Sequence, residues 1–294
     1  MTARACVIVA NPRSGGGNVI AATRAILTTP EIKTVAVLEL SRDQEFASRL
    51  NSFVGDKKPI IACIGGDGTI SAVLNALAHP GRCVLAVVPC GSGNDLAREL
   101  DIDGVRTALD VLARGRERSI DFGIVNGKRF VNGVGIGLDA EVARMAAAIR
   151  ARGVFHAASY YLAALRGLLT VKPVGSRVAA AEQSPVPFDD LVMITIGNGK
   201  WYGGGFRGAP LAELDDGMLD CYAFRDVLGL FRRLGLMQRI KAGVHGKDPN
   251  VTAIRTDRLT IEFARSVAMH VDGELTETTR ADISLVALGA RILA

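Results

Sequence analysis

The chain has 294 residues, 49% of them hydrophobic, and a formal net charge of +5. That length accommodates two domains with separate cores, and the basic balance suits anionic partners such as nucleotides, anionic lipid surfaces or nucleic acid. Aromatic residues make up only 5% and no aromatic-plus-basic stripe occurs, which argues against single-stranded nucleic-acid binding.

In chain order, Ala5–Ala10 reads as a strand, residues 11–18 as a loop and Val19–Leu27 as a helix. Thr34–Leu40 is a second strand, followed by a helical stretch over Asp43–Phe53. Ile60–Ile64 is a third strand backed by a helix over Ile70–Leu77. Val84–Val88 is a fourth, with helices at Asn94–Leu100 and Thr107–Ala113. Short apolar runs alternating with helices predict a parallel sheet covered on both faces. Ligands of such sheets bind beyond the carboxyl ends of the strands. The chain enters a strand almost at once, so no signal peptide is expected.

The pattern changes near Ser119. Ile120–Val125, Arg129–Val134, Leu191–Gly197, Met218–Phe224, Leu259–Phe263, Val267–Val271 and Ile283–Val286 read as strands. The alternation in Leu259–Phe263 is that of a half-buried antiparallel strand, and Asn126-Gly127 is a hairpin turn signal. This predicts a nucleotide-binding α/β domain over residues 1–120, to which residues 287–294 return, and a mostly antiparallel β domain over residues 121–286. A helix is inserted between Ala140 and Thr170. Residues 173–190, with Pro173, Pro185 and Pro187, read as an exposed loop or edge. The apolar run Val154–Val171 contains His156, Ser159 and Arg166 and fits an amphipathic helix better than a membrane span. Cys6, Cys63, Cys83, Cys90 and Cys221 have no Cys-x-x-Cys spacing and lie mostly in apolar runs, so they read as buried free thiols in a reducing compartment.

Three glycine-rich loops follow strands of the first domain. Asn11-Pro12-Arg13-Ser14-Gly15-Gly16-Gly17-Asn18 offers Arg13 and Ser14 as donors, yet lacks the Gly-Lys-Ser/Thr of a P-loop. Gly65-Gly66-Asp67-Gly68-Thr69 leaves a carboxylate on a backbone that can lie against a ligand. Pro89-Cys90-Gly91-Ser92-Gly93-Asn94-Asp95 supplies short polar side chains at a helix start. Loops without side-chain bulk let N–H groups approach a polyphosphate, and helix N-termini favour its charge. Asp67 and Thr69 would also cap the following helix. Asn94 would cap as well, or hydrogen-bond a base, ribose or phosphate. The loops together predict nucleotide-dependent phosphoryl transfer.

These loops, with Asn132-Gly133-Val134-Gly135-Ile136-Gly137, Asp215-Asp216-Gly217-Met218-Leu219-Asp220 and Val271-Asp272-Gly273-Glu274, resemble the diacylglycerol kinase catalytic-domain family, which includes sphingosine and ceramide kinases and bacterial lipid kinases. The motifs run in family order across nearly the whole chain. The resemblance implies an N-terminal domain of the NAD-kinase and phosphofructokinase-like type, a C-terminal β-sandwich domain and an active site in the cleft between them, with ATP as donor and Mg²⁺ as essential metal. It assigns nucleotide contacts to Asn11, Ser14, Gly15, Gly65, Gly66, Asp67, Gly68, Thr69, Ile70, Ser71, Gly91, Ser92 and Asn94, and more loosely to Ser41 after the second strand. It gives Asp216 to a structural Mg²⁺ through its carboxylate, with Glu213 and Met218 adding main-chain carbonyls. Carboxylate and carbonyl oxygens suit that ion, although Asp-Gly alone is only a turn former. For the base that deprotonates the acceptor hydroxyl, the resemblance offers Glu274, Asp272 and Asp67, with Glu274 preferred and Asp67 alternatively organising the nucleotide.

Three further stretches bear on the acceptor. Tyr161, Leu162, Leu165, Leu168 and Leu169 form an apolar stripe that packs on the sandwich or lips an acyl-chain pocket. Residues 227–247 mix apolar side chains with Arg232, Arg233, Arg239, Lys241 and Lys247, as a membrane-surface helix or a solvated helix face does. Lys200, Trp201, Tyr202 and Gly203–Gly205 form a flexible aromatic loop that could touch headgroups. His270, in a strand, reads as structural. The expected enzyme is a cytoplasmic lipid kinase in peripheral contact with the inner membrane surface, with no nucleic-acid partner and a homodimer allowed. Diacylglycerol is the first acceptor; a sphingoid base, ceramide, monoacylglycerol or phosphatidylglycerol, an NAD-kinase-like soluble substrate, and a nucleotide-binding lipid sensor without turnover are the alternatives.

Overall fold

A computed structural model describes residues 5–15, 17–55, 58–150, 156–181, 183–226 and 230–294. The chain forms two compact units. The first comprises the chain up to Phe122 with Leu214–Asp216 and Val286–Ala294, and the second comprises Gly123–Glu213 and Gly217–Leu285.

In the first unit, β1 (Ala5–Ala10) leads into α1 (Gly17–Leu27), β2 (Lys33–Glu39) into α2 (Gln44–Phe53) and β3 (Ile60–Gly65) into α3 (Asp67–Ala76). β4 (Val84–Pro89) is followed by α4 (Asp95–Glu99) and α5 (Val105–Arg114). The strands are parallel in the order β2-β1-β3-β4, and the end of the chain adds a parallel neighbour to β4 through Ile292 opposite Leu85. β3 is buried along its whole length, which is why it reads as an unbroken apolar run. β2 lies at the edge and alternates, with Val35 and Val37 exposed. Asp43 proves to be the cap of α2 and not its first residue, its side chain accepting the Phe46 N–H at 2.7 Å. Register sets Ala10 beside Ile64 and Gly65 beside Pro89, so the loops after β1, β3 and β4 leave the sheet at one edge.

Further along the chain come β5 (Glu117–Val125), β6 (Lys128–Phe130), β7 (Gly133–Gly137), α6 (Leu138–Arg150), α7 (His156–Thr170), β8 (Val174–Ala180) and β9 (Val186–Gly197). β10 (Leu219–Arg225), α8 (Leu230–Ala242), β11 (Val251–Thr256), β12 (Arg258–Val271) and β13 (Glu274–Leu293) complete it. In the second unit β9 and β12 change partners along their length. Each pairs with β8 in its first half and β7 in its second, and the pairing of β12 with β13 shifts register between Glu262 and Val267. This wraps antiparallel strands around one core that includes Phe130, Phe188, Ile194, Ile196, Ile261 and Ile283. β10 is buried on both faces: Cys221 and Ala223 enter that core, while Tyr222 and Phe224 join a second core with Met193 and Ile240. Asn126 and Gly127 have φ of 48° and 83°, as the turn between β5 and β6 requires.

Several expectations are corrected here. The strand read over Arg129–Val134 is broken into β6 and β7, because Val131 and Asn132 turn their N–H groups to Asp272. Residues 173–190 are no simple exposed loop: β8 is internal, with Val174, Ser176, Val178 and Ala180 buried in alternation. The inserted helical region is two helices, α6 and α7, and β11 was not foreseen because its exposed middle carries little apolar signal. Residues 154–155 of the apolar run read over Val154–Val171 lie outside the described residues, and no described helix is long and apolar enough to cross a membrane. All five cysteines are buried and free; burial pushes the Cys6 thiol up to about 12.

Candidate active site

Three loops meet at the carboxyl edge of the first unit's sheet. The Asn11 main-chain N–H reaches the Ile64 carbonyl at 3.1 Å, and its side-chain amide donates to Thr69 Oγ1 at 3.0 Å. A Cβ on Gly15, at φ +59°, would stand 2.2 Å from the Cys90 carbonyl oxygen, and one on Gly91 would stand 2.5 Å from the Gly66 Cα. Neither approach tolerates a side chain. Gly16 lies outside the described residues.

Asp67 does not cap its own helix. Gly66 is the cap position of α3 and Asp67 is already in the first turn. Its carboxylate instead accepts the N–H groups of Asp95 and Leu96, each at 3.0 Å, and so caps α4 from the neighbouring loop. Asn94 sits at φ +54° and exchanges two hydrogen bonds with Gly91, Oδ1 accepting its N–H at 3.0 Å and Nδ2 donating to its carbonyl at 2.9 Å. Its amide thus closes its own loop. Thr69, Ile70 and Ser71 are buried beneath the bend, so their side chains support the loop from below. Gly65 is buried with Thr69 packed against it. Ser14 is half-buried and Ser92 exposed, and Gly68 has no protein atom within 4 Å of where a Cβ would stand. Ser41 donates to Asp43 Oδ2 at 2.5 Å and belongs to the cap of α2. What the cluster offers a ligand is therefore backbone, two hydroxyls and the N-terminus of α3, a suitable seat for phosphate.

In the second unit the turn between β12 and β13 carries the other carboxylates. Asp272, at φ +47°, accepts the Val131 N–H at 2.9 Å and the Asn132 and Gly133 N–H groups at 3.0 Å each, while its own N–H goes to the Gly133 carbonyl. Its oxygens fasten β7 to the turn. Glu274 is half-buried and pairs with Lys128 Nζ at 2.5 Å. Asp272 is thus fixed by main chain, whereas Glu274 is paired with a lysine side chain. Two residues before Asp272, His270 Nε2 lies 2.8 Å from Asp139 Oδ2. Burial lowers the basicity of His270, but the Asp139 and Asp272 carboxylates outweigh it and hold its pKa above the usual value. Sequence reasoning left His270 without this partner, because a strand and a helix start 131 positions apart carry no mutual signal.

A cavity opens between β9, β10 and the helices α6, α7 and α8, with an empty volume of about 850 Å³ including its mouth. Val142, Leu168, Met193, Phe224, Leu236 and Ile240 are among its walls. Its charged lining groups are neutralised in pairs: Asp139 with His270, Arg225 with Asp190 at 2.9 Å, and Asp226 with Arg233 at 2.7 Å. The lining fits an apolar ligand. The apolar stripe of α7 is split by the structure. Leu168 faces this cavity, Leu162, Leu165 and Leu169 are exposed, and the Tyr161 side chain lies outside the described residues. The Trp201–Gly205 loop is ordered by its neighbours: Tyr202 bridges to Phe206, its hydroxyl is 3.2 Å from Thr195 Oγ1, and Arg207 lies over the Trp201 ring. Of the stretch 227–247, residues 227–229 lie outside the described residues and α8 forms most of the rest.

In the segment Glu213–Met218, Asp215 takes both guanidinium bonds of Arg118, at 3.1 and 3.0 Å. Asp216 is half-buried, Glu213 and Met218 are exposed, and Gly217 turns the chain at φ +74°. Among the described residues no three His, Cys, Asp or Glu side chains gather to hold a metal ion. One carboxylate with main-chain carbonyls fits Mg²⁺, which keeps several waters and needs few protein ligands. Asp121, unnoticed in the sequence, is fully buried, with Oδ1 accepting the Leu288 N–H at 2.6 Å.

An α/β unit with glycine loops at its carboxyl edge and a sandwich-like β unit define an NAD-kinase-like two-domain kinase. Residues 4–125 match the family model described as the diacylglycerol kinase catalytic domain, and residues 132–291 match the YegS C-terminal NAD kinase beta sandwich-like domain. The chain belongs to the diacylglycerol kinase catalytic-domain family and is a lipid kinase. It is 30% identical to a diacylglycerol kinase of Bacillus subtilis over 73% of this chain and 71% of that one. It is 28% identical to a diacylglycerol kinase of Mycobacterium tuberculosis over 96% of this chain and 93% of that one. A crystal structure of a diacylglycerol kinase from Bacillus anthracis superposes with a TM-score of 0.71 at 21% identity, covering 99% of this chain and 96% of that one.

Proposed function

We propose that the enzyme transfers the γ-phosphoryl group of ATP to the free hydroxyl of diacylglycerol, giving phosphatidic acid and ADP. The observation that carries the acceptor class is the cavity of the second unit, whose walls are apolar and whose charges are paired off. The similar enzymes named diacylglycerol kinase support the choice among lipids.

The glycine loops of the first unit hold the triphosphate through main-chain N–H groups, with the hydroxyls of Ser14 and Ser92 as side-chain donors. Asp67 and Asn94 keep the loops in shape. Glu274 accepts the proton of the lipid hydroxyl as its oxygen bonds to the γ-phosphorus and the bond to the β-phosphate oxygen breaks. Such a base contributes about 10²–10⁴-fold, and alignment and charge neutralisation supply most of the rest. Asp272 positions the turn that carries Glu274. Asp216, with the Glu213 and Met218 carbonyls, would hold a Mg²⁺ that stiffens the segment, and Mg²⁺ bound with ATP would supply charge neutralisation on the transferring group.

Labelled ATP offered with mixed micelles of diacylglycerol, monoacylglycerol, ceramide, sphingosine or phosphatidylglycerol, and separately with NAD, tests the reading. The expected result is magnesium-dependent label in phosphatidic acid above every other product. Label in NAD alone, or nucleotide binding with no labelled lipid, overturns it.

A further inference from the structure

Glu274 opens β13, and the cation beside it comes from far away in the chain. Lys128 lies 146 positions earlier, on β6, with Nζ 2.5 Å from Glu274 Oε2. β6 is only three residues long, yet its main chain is held at both ends and in the middle. At the turn before it, Asn126 makes three hydrogen bonds to β13. Its N–H donates to the Asp282 carbonyl at 3.0 Å, its Nδ2 donates to the Arg280 carbonyl at 2.8 Å, and its Oδ1 accepts the Asp282 N–H at 2.9 Å. Beyond β6, the N–H groups of Val131, Asn132 and Gly133 converge on the Asp272 carboxylate. In between, Phe130 is fully buried and packs so closely over Gly123 that no Cβ fits there. β6 is therefore fastened to the same strand and turn that carry Glu274. The two side chains are 34% and 23% exposed, so both are partly withdrawn from solvent at the point where they meet. A surface lysine ordinarily keeps its rotamer freedom. Lys128 gives that freedom up for a pair that adds little to stability, which leaves its effect on the Glu274 carboxylate as the reason for the arrangement.

We propose that Lys128 is a positioning residue for phosphoryl transfer, holding the Glu274 carboxylate in the one orientation that meets the acceptor hydroxyl. A glutamate side chain has three rotatable bonds, and a base that must find its rotamer anew at each turnover loses much of the advantage of being present. Lys128, anchored through β6, selects that rotamer before the acceptor arrives. The inference rests on the reading of Glu274 as the base and adds the residue through which the fold aims it.

The test is a double-mutant cycle on turnover of ATP with micellar diacylglycerol. Lys128→Met keeps the length and the apolar stem of the side chain. It is expected to keep the melting temperature and both KM values near wild type while kcat falls about tenfold or more. Lys128→Arg is expected to recover most of that loss, because a guanidinium also pairs with a carboxylate. In the Glu274→Gln background, Lys128→Met is expected to cost nothing further, since the carboxylate it orients is gone. If Lys128→Met melts low, Lys128→Gln makes the same comparison with a polar end. A Lys128→Met enzyme with wild-type kcat, or one whose kcat falls by the same factor in both backgrounds, overturns the proposal. So does a rise in the KM for ATP alone, which would make Lys128 a nucleotide contact. Normal turnover in Glu274→Gln sinks the base reading itself. A defective Glu274→Gln with equal Lys128→Met losses in both backgrounds sinks only the positioning role.

Discussion

The carboxylate of Asp67 accepts the main-chain N–H of Asp95 at 3.0 Å, tying the loop after β3 to the helix after β4. With the second bond to Leu96 it satisfies two of the orphan donors at the start of α4. Asp67→Ala is therefore expected to act on stability as well as turnover. Loss of an N-cap acceptor costs about 0.5–2 kcal/mol, and the loop it holds should loosen. Thermal melting and nucleotide titration of the same variant check this. A variant that melts like wild type yet fails to turn over would assign Asp67 to chemistry alone.

Gly68 and Gly91 make contrasting probes of the same bend. Gly91→Ala puts a Cβ 2.5 Å from the Gly66 Cα, so backbone must move and both stability and ATP affinity should fall. Gly68→Ala meets no protein atom within 4 Å and is expected to leave the melting temperature nearly unchanged. If a triphosphate lies against this backbone, the added methyl should still weaken ATP about tenfold or more, a penalty of about 1.4 kcal/mol. Calorimetry on both variants decides. Full ATP affinity in Gly68→Ala would place the nucleotide elsewhere.

Much of this was legible in sequence because it is local. The runs Ile60–Ile64 and Val84–Val88 announce buried parallel strands, and the glycines that follow them mark places where chains touch. What the sequence hides is which loop a polar side chain serves. Asp67 looks like a cap for the helix it opens, and only the register of β3 against β4 carries it to α4. Asp272 looks like a turn aspartate or a base, and the pairing of β12 with β7 makes it a fastener for Val131–Gly133. β8 was missed because Gly175, Ser176 and Arg177 interrupt its apolar pattern and prolines lie on either side of it, while the burial that stabilises it comes from β9 and β12.

Two histidines of the second unit should tilt stability with pH in opposite directions. Beside Asp139 and Asp272, His270 has a folded-state pKa above its ordinary value of about 6.5, despite burial. Its contribution is complete below about pH 6.5 and is lost as pH rises through the folded value. His245 is lowered by burial, with the Gly208 and Arg239 main chain offsetting part of that. Its contribution is complete above about pH 6.5 and is lost as pH falls through the folded value. Melting temperatures between about pH 5 and 9 should show His270→Gln flattening the alkaline limb and His245→Gln the acid limb. An alkaline limb unchanged in His270→Gln would mean that the pair with Asp139 does not carry a charge.

Asp272 and Glu274 should separate into a positioning residue and a base. Asp272→Ala leaves Val131, Asn132 and Gly133 N–H groups without their acceptor, and an orphaned buried donor costs about 1–3 kcal/mol. That variant should melt lower and lose turnover because the turn is displaced. Glu274→Gln weakens a half-exposed pair with Lys128, worth about 0–1 kcal/mol. It should keep the fold and ATP affinity while turnover falls about 10²–10⁴-fold. The two readouts must diverge for the assignment to stand. If Glu274→Gln turns over normally while Asp272→Asn folds like wild type without turning over, the base is Asp272 and its three main-chain bonds orient a reacting group.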